Sequence, residues 1–504
     1  MRKIAIALVL MITTFLIGCD FLSGTDPVVT MPGVTTTTGV ASFDTNTFIE
    51  GVPNTDNVSF DTLFDDSIYK KFTIYFSEAN FMKLIYDMEN YYDEWGNYRD
   101  NTIQEVDVLY EDGLGNVYEI NEVGFRTKGN IFSRVLPAIV EGGEIQYFQQ
   151  TSFQLEFNET FDYVDNSTEY DYLKSRDAFD MEQLNFKHIR STDYAVVTES
   201  VSYDMFREAG VVTSNTSYTL IYFDIEGLVV PYGLFLIQEP MDDEFVKRYW
   251  DKNDDSSIGD LYKCAWQTMG PATLKNNYAN DALGVSDYNE GYRKTYALKT
   301  NKDLANFDSF EDFSNLASNT SVFNYYNSIG TSLMIDNFAK ASALHFLIGS
   351  PDDYRSNANN YYMYFNEGKS YYIPFDFDNA LGNGWNPYGN FGVDLDIDTV
   401  QPSNGLTASN MVLIYNLLQE DSFLTAYYNY LDLYTQTNGI FNYDDIFSEY
   451  NLIYNLYYNE IIAEEHLGIN YFDISSRWES MSVEDYMNAK IQSVRAQLTE
   501  LGVI

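Results

Sequence analysis

The sequence predicts an α+β protein in which mainly antiparallel strands come first and helices close the chain. Three observations carry this reading. Short runs of period-two alternation separated by Gly- and Asn-containing turns fill the first half, the signature of hairpins. Beyond Asn410, long stretches of helical apolar spacing contain few Gly or Pro residues. Hydrophobic residues make up 45% of the 504 and aromatics 17%, which supports a sizeable core and excludes wholesale disorder.

Folded sequence is expected to begin near Lys71, where F-T-I-Y-F alternates as a strand does, followed by a helix from Glu78 to about Tyr92. V-D-V-L-Y (Val106 to Tyr110), the turn D-G-L-G-N, V-Y-E-I-N, V-G-F-R-T-K-G-N and S-F-Q-L-E-F then read as a meander. A helix is expected from about Thr192 to Ala209, with Gly210 as its cap. Two strands follow, Tyr218 to Phe223 and Tyr232 to Ile237, joined by D-I-E-G. Residues 251–327 are polar and Asn-rich and show no clear period. Leu333 to Ile348 reads as a helix, and Met411 to Gln436, Tyr443 to Glu465 and a last segment opened by S-V-E-D at Ser482 to Asp485 read as three more. In the last, Met487, Ile491, Val494 and Leu498 form a packing stripe.

The N-terminus has its own logic. Arg2 and Lys3 precede the apolar run Ile4 to Ile17, too short for a spanning helix and suited to a signal peptide. The run ends in L-I-G-C, which resembles the bacterial lipobox and marks Cys19 as the lipidated first residue of the mature chain. The expected organisation is a signal peptide at 1–18, the lipidated cysteine and a Thr/Gly-rich tether at 19–70, and a folded domain at 71–504, sheet-rich to 250 and catalytic and helical from 251. The expected location is extracytoplasmic, with Cys19 in the bilayer. Cys264 is the only other cysteine, so no intrachain disulfide is expected and a buried apolar role suits it. With 29 basic against 75 acidic residues, the formal charge of −46 excludes nucleic acid as a partner and favours basic peptides or divalent cations.

Three histidines without H-E-x-x-H, C-x-x-C or G-x-S-x-G give no zinc-protease or triad reading. Gly368 to Ser370, G-K-S, lacks the upstream glycine of a phosphate loop and sits between two strand-like segments, where N-E-G-K (Asn366 to Lys369) reads as a hairpin turn. D-L-D-I-D at Asp394 to Asp398 has calcium-like spacing but Thr399 where a calcium loop needs Gly, and reads as a solvated strand face, with a loop metal site as the lesser alternative. What survives is the segment Ser350 to Gly382. Asp352, Asp353, Asn357, Asn359 and Asn360 precede a hairpin, Y-Y-M-Y-F and Y-Y-I-P-F, and Asp376 and Asp378 follow it. The hairpin returns the second acidic pair toward the first, a layout that suits phosphoryl transfer: one carboxylate for the hydroxyl, other oxygens for magnesium. Since Asp and Asn also cap helices and make turns, the local pattern leaves a structural role and a metal site equally open.

Several motifs stand in order along the chain: V-G-F-R-T-K-G-N (Val123 to Asn130), L-N-F (from Leu184) through D-Y (Asp193) to S-Y-D-M-F (Ser202 to Phe206), Y-G-L-F-L-I-Q-E (Tyr232 to Glu239), G-D-L-Y-K (Gly259 to Lys263), N-N-Y-Y-M-Y (Asn359 to Tyr364), I-P-F-D-F-D-N-A-L-G (Ile373 to Gly382) and R-A-Q-L. From Phe72 to Leu501 the chain thereby resembles the CotH (spore coat protein H) kinase family. The resemblance implies a divergent, atypical protein-kinase-like fold that uses ATP with Mg2+ or Mn2+ to phosphorylate Ser or Thr of secreted or surface proteins. It assigns Asp353 as the catalytic acid, with Asp352 beside it as the other choice. Asp376 becomes the metal ligand, completed by Asp378 or Asn360, and Lys128 and Glu239 line the nucleotide pocket. Two positions depart from the family: Gln154 stands where relatives carry a lysine that meets phosphates, and Phe375 replaces a tryptophan. Loss of that lysine, and the scarcity of ATP outside the membrane, favour the alternative of a weakly active or inactive kinase-like binding module or adhesin. A glycan-active protein is the weakest reading, because no acid pair is identifiable as flanking a sugar.

Overall fold

The computed structural model describes residues 58–250, 258–286, 291–319, 324–468, 472–476 and 481–504. The signal peptide, Cys19 and tether residues 20–57 lie outside the described residues; residues 58–70, expected as tether, are instead folded, with Val58 and Leu63 buried and a single helical turn at Phe60–Leu63 capped by Ser59. No helix among the described residues is long and apolar enough to cross a membrane.

The first half is a closed seven-stranded barrel. Its strands are β1 (Lys70–Phe76), β2 (Gln104–Asp112), β3 (Val117–Thr127), β6 (Phe153–Glu156), β7 (Gln183–His188), β8 (Thr216–Ile225) and β9 (Leu228–Gln238). A helix, α1 (Glu78–Trp95), follows β1, and a separate hairpin, β4 (Ala138–Glu141) and β5 (Glu144–Phe148), lies between β3 and β6. The sheet closes because β1 pairs antiparallel with β2 and parallel with β8. A barrel of this size is filled by side chains, not solvent. Phe72, Phe76, Phe125, Phe153, Phe186, Phe223 and Phe235 are all buried and meet ring to ring, Phe153 stacking on Phe186 at 4.7 Å. Much of the chain's aromatic content is thus spent on one interior. Alternation then fixes what faces the rest of the protein: with Leu184 and Phe186 inside, Asn185 and Lys187 point outward.

The second half follows α2 (Thr198–Glu208), which is inserted between β7 and β8, and α3 (Asp243–Trp250). A five-stranded sheet, ordered β11-β12-β10-β13-β14, is built from β10 (Asp260–Cys264), β11 (Leu283–Gly284), β12 (Tyr296–Leu298), β13 (Tyr361–Asn366) and β14 (Lys369–Pro374). Against it and one another pack α4 (Asp308–Asn319), α5 (Ile335–Ile348), the single turn α6 (Tyr354–Asn357), α7 (Val412–Leu417), α8 (Asp421–Tyr434), α9 (Tyr443–Ala463) and α10 (Val483–Glu500). Cys264 is buried and unoxidised.

Several expectations shift. The helix expected from Thr192 starts six residues later. Asp193 caps it, accepting from the Thr198 N–H at 3.1 Å, and Val196 at φ 71° lies outside right-handed helical space. Met411 to Gln436 splits into α7 and α8 at a turn after Leu417, where the Glu420 side chain accepts the Tyr325 N–H at 3.2 Å. Residues 394–398 are turns, not a strand. The β13–β14 turn, Glu367–Gly368, has both residues at positive φ, as a tight hairpin requires.

Candidate active site

The outward face of the barrel wall carries a polar row. Cross-strand register sets Arg126 on β3 opposite Gln154 on β6, Gln154 opposite Asn185 on β7, and Asn185 opposite Gln238 on β9. Lys187 stands two residues beyond Asn185 on the same face. Its ammonium lies 2.7 Å from Glu199 Oε1 on α2, bonds Asp376 beyond β14, and is 3.6 Å from Asp378. Strand, helix and loop therefore converge on one cation. Burial works against the Lys187 charge, but Asp376, Asp378 and Glu199 more than offset it and hold its pKa well above the ordinary lysine range. Three carboxylates share that one ammonium, so burial and the repulsion of Asp376 and Asp378 raise Glu199 despite Lys187. Asp378 is lowered: burial opposes its ionisation, while Lys187 and Arg190, the latter 3.7 Å away, favour it.

The opposite wall comes from the loop after α5. Gly349 ends that helix at φ 63°, its N–H donating to the His345 carbonyl, and a Cβ there would meet the Tyr486 hydroxyl at 2.0 Å. Glycine is therefore required where the chain turns toward Asp352. Three amides surround the Asp352 carboxylate: Asn357 Nδ2 at 2.6 Å, Asn359 Nδ2 at 3.0 Å and Asn360 Nδ2 at 3.2 Å. Burial nonetheless pushes its pKa up to about 7, with Asp376 and Asp378 adding to the shift against the lowering by Asn359 and Asn357. The charges of Asp376 and Asp378 thus oppose ionisation of Asp352.

Asp353 sits elsewhere. Its carboxylate accepts the Ser356 N–H at 2.8 Å as the cap of α6 and lies 2.9 Å from His345 Nδ1, with both side chains 3% exposed. His345 Nε2 is in turn 2.9 Å from the Tyr372 hydroxyl. Alternation along the loop sends Asp353 into the core and leaves Asp352 half-buried among the three amides. Asp376, at 28% exposure, and Lys187, at 21%, remain open to solvent.

The pocket assignments also separate. Half-buried Lys128 bonds Asn185 on the same face as Lys187, and burial together with Arg126, Lys263 and Lys299 lowers its pKa well below the lysine range. Glu239 faces inward: it pairs with Arg248, accepts from the Asn215 N–H at 3.1 Å and the Tyr249 hydroxyl at 3.2 Å, and fastens β9 to α3. Gln154 is buried, accepting from Arg126 and donating to Gln183.

Among the described residues no three His, Cys, Asp or Glu side chains are already gathered in metal-ligating geometry. The donor chemistry of Asp376, Asp378, Asp352 and the Asn360 amide is all oxygen and carries excess negative charge, which suits a hard divalent cation. Lys187, Glu199 and Tyr203 are the residues that motif reading passed over. The signal was present in L-N-F-K, a lysine on the outward phase of a strand, and in the glutamate of the next helix; the late start of α2 hid the pairing.

Compared with known proteins, the chain matches the family model described as CotH kinase protein over residues 125–488. No curated protein matches it.

Proposed function

Because the chain belongs to the CotH kinase family, we propose that it is an atypical protein kinase moving phosphate from ATP to Ser or Thr side chains of secreted or surface proteins. The observation that carries this reading is the single ammonium of Lys187 held by both Glu199 and Asp376. A strand lysine fixed by a helix glutamate, beside a carboxylate that follows a hairpin, is the layout phosphoryl transfer requires.

In this reading Lys187 neutralises charge on the transferring phosphates, and Glu199 fixes the position of its ammonium. Asp376 and Asp378, with Asn360, would hold Mg2+ or Mn2+, which supplies charge neutralisation on the phosphate oxygens when bound. Asp352, not Asp353, orients the acceptor hydroxyl and takes its proton as the oxygen attacks in line. Lys128 extends the donor wall toward the phosphate tail, whose charge would favour protonation of its amine, while Glu239 shapes the connection beside the pocket without opening into it. The domain works outside the membrane, anchored through Cys19, and its acidic surface favours acceptors with basic segments.

The test is incubation of purified protein with labelled ATP and Mg2+ or Mn2+, beside Asp376→Ala. Label on protein that vanishes in the variant supports transfer; absence of nucleotide binding in both shifts the weight to a binding module, the reading that Gln154 in place of the family lysine favours. Salt and peptide charge test the acceptor preference, since rates indifferent to both contradict it. Lipidation predicts that Cys19→Ala releases the protein from the membrane fraction.

A further inference from the structure

Asp376 occupies the left-handed region at φ 65°, unfavourable for a residue with a Cβ, so its surroundings must hold it there. Its carboxylate is gripped by Lys187, but its backbone is gripped by something else. The Asp376 N–H donates to the Tyr203 hydroxyl at 2.9 Å, and the Gln238 side-chain amide donates to the same oxygen at 2.6 Å. Tyr203 is fully buried, and its ring meets Phe377, the next residue, edge-on at 4.6 Å. One turn further along α2, Phe206 stacks on Phe377 at 4.8 Å.

From this geometry we infer that Tyr203 is a positioning residue, whose hydroxyl fixes the backbone of Asp376 in the conformation that presents its carboxylate to the cation site. The inference rests on reading Asp376 as a metal-side carboxylate. Tyr203 Oη accepts from both the end of the barrel strand β9 and the loop after β14, so α2 must be docked between barrel and sheet for Asp376 to keep its form. Undocking α2 withdraws Glu199 from Lys187 and Tyr203 from Asp376 together. The site therefore assembles or disperses as a unit.

The deciding variant is Tyr203→Phe, which keeps the ring against Phe377 and removes only the oxygen. Two quantities are measured on the full chain: amide hydrogen exchange of the segment containing Asp376 without metal, and Mn2+ affinity in the presence of ATP by electron paramagnetic resonance. Faster exchange and Mn2+ binding weakened roughly three- to tenfold, the scale of one buried hydrogen bond, are expected. Ser200→Ala removes another buried α2 hydroxyl, which bonds the Tyr218 hydroxyl at 2.6 Å and takes no part in the Tyr203 hydroxyl's two bonds, and should change neither quantity.

A stable Tyr203→Phe protein with unchanged exchange and unchanged Mn2+ affinity overturns the inference. Should that variant fold poorly, Gln238→Leu, which strips the second bond from the same oxygen, decides on the same two readouts. Wild-type protein that binds Mn2+ but transfers no phosphate removes the kinase reading and leaves the Tyr203 inference intact. Wild-type protein that binds no Mn2+ beside ATP removes both.

Discussion

Lys187 and Glu199 meet at 2.7 Å across the gap between β7 and α2, and the same ammonium bonds Asp376. Replacing Lys187 by Met leaves three carboxylates without their shared cation in a partly buried site. Transfer should fall by roughly 10²–10³-fold, the scale of removing one preorganised charge from a transition state. Glu199→Gln should cost less, because the amide still accepts from Lys187. Steady-state rates for the two variants check the order.

Asp352 and Asp353 separate by what they touch. Asp353→Ala breaks a buried contact with His345 and uncaps α6, so it should lower stability by about 1–3 kcal/mol, the scale of stranding a buried polar group and losing a helix cap. Asp352→Asn, which keeps an acceptor oxygen for the three surrounding amides, should leave the melting temperature nearly unchanged and abolish transfer. Equal loss of activity at equal stability in both variants would contradict the division of roles.

The pH profile follows from the same carboxylate. Asp352 is raised to about 7 by burial and by Asp376 and Asp378, and it must be ionised to accept a proton. kcat/KM should therefore rise from pH 6 to 8, and Asp352→Asn should give a low, flat profile. A wild-type profile falling over that range would remove Asp352 as the base.

Stability of the metal-free protein should run the other way. A carboxylate whose folded pKa is raised contributes stability that is present below its unfolded pKa and lost as pH climbs through the folded one. Glu199 and Asp352 are both raised, so each removes up to about 1.4 kcal/mol per pH unit as it ionises. His188 and His466, lowered to about 4 chiefly by burial, act oppositely but finish titrating near their unfolded value. The melting temperature should thus decline between pH 6.5 and 8, and Mn2+ with ATP should recover part of it. A thermal-shift series checks both.

What the sequence made legible was what local pattern controls. The alternation in F-T-I-Y-F and V-D-V-L-Y, the Glu367–Gly368 turn and the serine cap of the last helix, where Ser482 Oγ accepts the Asp485 N–H at 3.2 Å, all act within a few residues. Barrel closure does not, because β1 meets β8 about 150 residues later in sequence. Nor does the placing of β10, which pairs with β12 some 35 residues on and with β13 about 100 residues on. At the site, motif spacing singled out Asp352, Asp353, Asp376 and Asp378, but it could not say which of the two adjacent aspartates turns inward. His345 decides that, and only from the fold.

Gln154 allows the departure from the family to be tested from both sides. It is buried beside Arg126, and its amide passes a hydrogen bond to Gln183, which donates to Asp242 at the start of α3. A lysine at this position would set a second cation against Arg126, whose own carboxylate partner, Glu156 at 2.5 Å, is already engaged. Gln154→Lys should therefore lower the melting temperature of the nucleotide-free protein, since a buried like-charge contact has nothing to offset it. If phosphates seat against this wall, ATP should restore more stability to the variant than it adds to the wild type, because a ligand stabilises in proportion to its affinity for the folded state. An equal shift in both proteins would place the phosphates elsewhere and detach Lys128 from the nucleotide.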